Sequence, residues 1–153
     1  MPYSLFHDFF PKLAEKETRC LIAYDDPLLP PDRYALLELY CDEIDCDCRR
    51  VVWSVLSDAR KEFVAQIGFG WESFEFYRQW IGGEPDRFMV ENFKGPDIPV
   101  GGPWPELAPV LLDRIKASVV TDLGYVERLK RHYRLFKDRL ADRAQLQTEG
   151  NYR

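Results

Sequence analysis

No apolar run in this sequence approaches the ~20 residues that a transmembrane helix needs. The longest, such as Val51–Val55 with its single Ser54, are strand-sized. The N-terminal Met-Pro-Tyr-Ser-Leu-Phe-His-Asp-Phe-Phe has no basic leader, no sustained apolar core and no small-residue cleavage site, so no secretory signal is expected. Also missing are a Ser-His-Asp arrangement, a Walker loop, a dinucleotide fingerprint and an H-E-x-x-H pair. The usual signatures of serine hydrolases, nucleotide-binding folds and zinc proteases are therefore not present. Nothing repeats internally and no tract is of low complexity. Basic excess is lacking too: the net charge is −5, whereas phosphate recognition normally needs a net basic surface, so a dedicated nucleic-acid binder is not expected.

What is present is apolar mass. Hydrophobic residues make up 46% of the 153, with 4 Trp, 8 Tyr and 10 Phe, which is too much apolar surface for a disordered chain. The length suits one domain, residues 1–153, large enough to bury a core without disulfide staples. Four cysteines without a signal peptide point to a reducing, cytoplasmic setting in which thiols stay free or bind metal. Charge is unevenly spread. Between Asp25 and Asp47 stand eight acids against the single Arg33, while Glu127–Arg139 holds six Lys/Arg against two acids.

Pattern and turn chemistry predict an α+β fold, a four-stranded antiparallel meander sheet covered on one face by C-terminal helices. Residues 1–16 read as an N-terminal helix or turn limited by Pro11. The meander spans 18–71. Its strands are expected at Thr18–Tyr24, Tyr34–Cys41, Cys48–Leu56 and Glu62–Trp71, with the three prolines of residues 25–32 forcing a loop after the first. Alternation puts Phe63, Ala65, Ile67, Phe69 and Trp71 on one face opposite Val51, Trp53 and Val55, with Ala35, Leu37 and Leu39 completing it. Helices are expected at Glu72–Trp80, Pro105–Val119 and about Asp122–Arg143. The last carries Val126, Leu129, Tyr133, Phe136 and Leu140 at helical spacing. Gly83–Pro105 reads as a long Gly/Pro-rich surface loop, and residues 144–153 as a frayed polar tail.

The chemically distinctive segment is Cys41-Asp-Glu-Ile-Asp-Cys46-Asp-Cys48-Arg49-Arg50, at the tip of the second predicted hairpin. A tight turn gathers thiols, and thiolates hold zinc tetrahedrally at ~2.3 Å. Arg49 and Arg50 would offset the negative charge of three thiolates on one divalent ion. A fourth ligand is not local. His132, on the edge of the final helix's stripe, is the candidate, because that helix must pack on the sheet. Cys20 competes but sits inside the first strand as a small hydrophobe. C-x4-C-x-C is not a common zinc spacing, so a structural zinc on Cys41, Cys46, Cys48 and His132, a set of unligated thiols and a disulfide all remain open.

Other features have plainer readings. Asp42, Glu43, Asp45 and Asp47 lack the central Gly and distal Glu of a calcium loop and read as a solvated acidic turn. The basic run Arg128–Arg134 is the outer face of a helix whose inner face is core-like. The aromatics Phe69, Trp71, Phe74, Phe76, Tyr77 and Trp80 form the sheet-to-helix junction, and His7 has no partner in sequence. Asp97, Glu91 or Glu72 could serve as acid–base groups if the long loop closes a pocket over that junction.

Glu17-Thr18-Arg19, Leu39-Tyr40-Cys41, Cys46-Asp47-Cys48-Arg49-Arg50, Phe69-Gly70-Trp71-Glu72 and Arg131-His132-Tyr133, in that order, resemble a family of bacterial proteins of unknown activity over roughly residues 8–140. Some of its members carry a further C-terminal cysteine motif similar to the zinc-binding tail of the preprotein translocase SecA. Gln145–Arg153 contains no cysteine, so that motif is absent here. The resemblance implies a bacterial cytoplasmic protein and supplies no catalytic residue. The resulting expectation is a small non-enzymatic binding or adaptor domain with an unknown protein or small-molecule partner and a structural zinc at the hairpin. The alternatives are a thiol-redox protein or sensor and a small-molecule enzyme.

Overall fold

A computed structural model describes residues 2–101 and 105–151. In chain order it contains β1 (Tyr3–Leu5), α1 (Phe6–Phe9), α2 (Pro11–Glu17), β2 (Cys20–Ile22), β3 (Arg33–Cys41), β4 (Arg50–Ser57) and β5 (Glu62–Gly70). There follow α3 (Phe74–Ile81), α4 (Arg87–Lys94), α5 (Ala108–Arg114), which runs into a π-helical turn at Ile115–Val119, and α6 (Leu123–Gly150). The fold is α+β. Strands β3, β4 and β5 form an antiparallel meander, and the outer edge of β3 is shared by β1 and β2. Tyr3 pairs with Cys41 at one end of that edge and Cys20 with Ala35 at the other, with α1 and α2 bridging between them. The N-terminal strand was not expected, because three residues carry too little alternation to register as one.

The core face follows the alternation of β4 and β5. Val51, Trp53, Val55, Ala65, Ile67 and Phe69 are all buried there. Trp53 stacks between Phe69 and Tyr125, and its indole N–H donates to the Tyr125 hydroxyl at 3.1 Å. Two expectations on this face need correction. Phe63 is 58% exposed and Val64 buried, because the register shifts between Val55 and Leu56 and turns Phe63 outward. On β3 the inward residues are Tyr34, Leu36, Glu38 and Tyr40, not Ala35, Leu37 and Leu39. Glu38 stands opposite Trp53. Both faces of β3 are apolar but for that glutamate, so its pattern favours burial of the face without the charge. The fold instead buries Glu38 and partners it.

The cover on this face is α1, α5 and α6. Leu107, Leu111 and Ile115 are buried and Val110 is half-buried, while Val126, Leu129, Tyr133 and Phe136 of the final helix's stripe are buried too. Asp122 caps α6 by accepting from the Tyr125 N–H at 3.2 Å, and Arg19 of the sheet side fixes the same carboxylate at 2.6 Å. Helix α6 continues to Gly150, through the segment expected to fray.

The other face is covered at one end only, by α3 and α4. Helix α4 lies inside the stretch expected to be a loop, with Asp86 as its N-cap, accepting from the Met89 N–H at 2.8 Å. Beyond it, Asp97 exchanges backbone hydrogen bonds with Gly68 of β5 at 2.8 and 3.0 Å. The tip of the predicted loop, residues 102–104, lies outside the described residues. Gly70 is required where Tyr77 crosses, since a Cβ there would sit 2.2 Å from the tyrosine oxygen. This end of the sheet, where β3 finishes and β4 begins, is where the cysteine turn sits. No helix among the described residues is long and apolar enough to cross a membrane.

Candidate metal centre

Antiparallel pairing brings the end of β3 beside the start of β4, so residues 42–49 must reverse the chain between them. A backbone bond from Cys46 N–H to Glu43 C=O at 3.1 Å tightens the turn, and Arg49 adopts φ +50° to re-enter the sheet. The Sγ atoms of Cys41, Cys46 and Cys48 consequently lie within 4.8 Å of one another. Sulfurs at ~2.3 Å from a tetrahedral zinc are about 3.8 Å apart, so small side-chain rotations separate this trio from a ligating one. All three are free thiols, as is Cys20, which stays in β2 and does not join them.

Neighbouring elements hold the turn. The Lys137 ammonium of α6 donates to the carbonyls of Cys41 and Glu43 at 2.8 and 3.0 Å. Tyr133 donates its hydroxyl proton to Asp47 at 3.1 Å and accepts from the Arg49 N–H at 3.3 Å. Ser4 of β1 donates to Asp42 at 2.6 Å, and Tyr77 of α3 donates to the Arg49 carbonyl at 2.7 Å. The two arginines divide. Arg49 pairs with Asp47 at 2.8 Å and reaches Glu72 at 3.4 Å. Arg50 is buried, its guanidinium donating to the Tyr3 hydroxyl at 2.7 Å and the Phe93 carbonyl at 2.8 Å. Its charge also acts on the Cys48 sulfur, as that of Lys137 acts on Cys41. Lys137, Tyr133 and Tyr3 had no signal in the sequence, since nothing local links them to the cysteines.

Burial decides the thiol chemistry. Cys41 and Cys48 are fully buried and Cys46 is half-buried. Burial, reinforced by the neighbouring cysteines, pushes the Cys48 thiol up to about 12, and burial also raises Cys41. Protonated thiols are poor nucleophiles. A thiophilic cation changes this, because it displaces the protons and repays the burial of each thiolate with a bond.

His132 lies elsewhere. Alternation along β3 puts Cys41 on the side away from α6, while His132 faces Glu38 on the core side. The imidazole is fully buried, with Nδ1 2.7 Å from Glu38 Oε1 and Nε2 2.8 Å from Glu17 Oε1. Its ring stacks on Phe6 at 4.4 Å, and Arg131 holds Glu17 through two nitrogens, both at 2.9 Å. Both ring nitrogens are committed to carboxylates, which leaves neither lone pair for a metal. The sequence places His132 on the edge of the stripe of α6, and only the β3 register shows which side of the sheet it serves.

The remaining candidates are not brought together. Glu72 faces Arg49, Glu91 pairs with Arg87 on the outer side of α4, and the Asp97 carboxylate accepts from the Ile98 N–H. Among the described residues, the cysteine trio is the one group of His, Cys, Asp or Glu side chains with ligand spacing. Two hollows flank the turn. One, of about 300 Å³, lies between the turn and α6 and is lined by Arg49, Trp71, Glu72, Lys130 and Tyr133 among others. The other, of about 520 Å³, is bordered by Glu43, Ile44, Asp45, Cys46, Asp47 and Trp80. No family model matches the chain, and neither a curated protein nor a solved structure does.

Proposed function

We propose that the chain is a non-enzymatic binding domain of the bacterial cytoplasm, stapled at its cysteine turn by one structural zinc ion on Cys41, Cys46 and Cys48. The observation that carries this reading is the convergence of three sulfurs to within 4.8 Å at a turn that side chains of β1, α3 and α6 hold in place. Three thiolates on a divalent ion leave one negative charge, and the charges of buried Arg50 and half-buried Lys137 act on two of the three sulfurs to offset it. Soft ligands favour zinc or copper(I) over magnesium or calcium. The redox alternative is weakened by the protonated state of Cys48 and Cys41, because an exchanging thiol needs its thiolate at neutral pH.

Elemental analysis of protein purified without added metal tests the proposal. One zinc per chain is expected, lost together when Cys48 is replaced by Ala. Less than roughly a tenth of an equivalent, with all four thiols titrating once the chain is unfolded in denaturant, would sink it, since structural sites hold their metal tightly.

A further inference from the structure

We infer that a metal ion on the cysteine turn keeps one coordination position for a ligand from outside the chain, and that this ligand is the imidazole of a histidine on a neutral or basic partner protein. The inference rests on the zinc reading. Tetrahedral zinc takes four ligands, and among the described residues only three donor atoms gather here. The chain's two histidines do not supply the fourth. His132 is held by Glu38 and Glu17, and His7 belongs to α1, which packs against α6 on the far side of the sheet.

The direction of the open position follows from burial. Cys41 and Cys48 are sealed at 0% exposure. Cys46 alone of the three borders a hollow, the one rimmed by Glu43, Asp45 and Asp47. Asp47 is tied to Arg49 and Tyr133 and is not free to turn inward. The charge of that rim selects the ligand. A zinc tris-thiolate is already anionic, so a further thiolate would be repelled by the site and by three carboxylates, whereas a neutral imidazole would not. Ile44 and Trp80, 49% and 38% exposed beside the hollow, offer the apolar contact that a partner segment needs and a free small ligand cannot use.

The test uses the full chain with cobalt(II) in place of zinc. A thiolate-to-cobalt charge-transfer band reports the three sulfurs, and the visible d–d bands report the fourth ligand. Imidazole should shift the d–d bands saturably at neutral pH, and a small thiol should do so several-fold more weakly. A basic peptide with one histidine should bind several-fold tighter than the same peptide with alanine there, and Trp80→Ala should weaken both peptides. Bands that imidazole leaves unmoved would show that the chain fills its own fourth position and would overturn the inference. A stronger response to thiol, or equal binding of the two peptides, would overturn the choice of ligand. Absence of the charge-transfer band would instead refute the zinc reading beneath it.

Discussion

Replacing His132 by Leu should destabilise the protein by about 3–5 kcal/mol, the range for removing one member of a buried ion pair. The substitution takes a cation from between two carboxylates. It leaves Glu38, 3% exposed, with Tyr40 as its remaining polar contact, while Glu17 keeps Arg131. At a urea slope of ~2 kcal/mol/M, the midpoint should fall by about 2 M. The double variant His132→Leu/Glu38→Leu should cost less than either single change, because it removes both charges and leaves only the Tyr40 hydroxyl short of a good acceptor, about 1 kcal/mol. The pH dependence carries a sign. Burial opposes the imidazolium, but hydrogen bonds to Glu38 and Glu17 and their charges outweigh it, so the His132 pKa is raised. Its contribution is then complete below the unfolded value of ~6.5 and is lost as pH rises through the folded value. Glu17, held down to about 2 by Arg131 and His132, contributes above its ordinary 4.5 and loses that contribution as pH falls towards 2. Wild type should therefore lose stability from neutral into alkaline pH more steeply than the double variant. Urea unfolding across pH measures all of this. A cost under about 1 kcal/mol for His132→Leu, or a double variant as costly as the two singles together, would refute the clamp. Bound zinc should be unchanged in the double variant, since His132 serves the opposite side of the sheet.

Removing metal with a chelator should lower the thermal midpoint, and restoring zinc should recover it; a midpoint indifferent to both would mean that the site contributes nothing to folding. In the metal-free protein, alkylation followed by mass spectrometry should mark Cys46 well before Cys48, whose thiol is buried and held near 12. Equal rates at the two would contradict the burial pattern. Gly95→Ala should cost about 2 kcal/mol or more, because its φ is +68° and a Cβ would lie 2.2 Å from the Gly68 carbonyl oxygen. Chemical denaturation would show this, and a neutral result would mean that the Asp97 strap can shift without loss.

Much of the fold was legible because it is written in local periodicity. Trp53, Ile67 and Phe69 alternate with smaller or polar neighbours, and Leu129, Tyr133 and Phe136 recur at helical spacing, so β4, β5 and α6 follow from the chain itself. The cysteine turn was legible for a related reason: its three thiols lie within eight positions, and a hairpin needs no distant element to gather them. Helix α4 was hidden by the Gly and Pro residues that flank it, although Asp86 and Gly95 bound it as cap residues. What the sequence could not decide was the side of each residue on β3. Tyr34–Cys41 is apolar on both faces, and choosing the buried one depends on whether Glu38 finds partners inward. His132 and Tyr40 provide them, from ninety-four positions along the chain and from two. That single choice of register sends Cys41 towards Cys46, Cys48 and Arg50 and leaves His132 across the sheet. The sequence by itself put three thiols within eight positions at one turn. Only the tertiary structure decided that His132 would not join them, because a residue's face in a sheet is set by what its neighbours can satisfy on the other side.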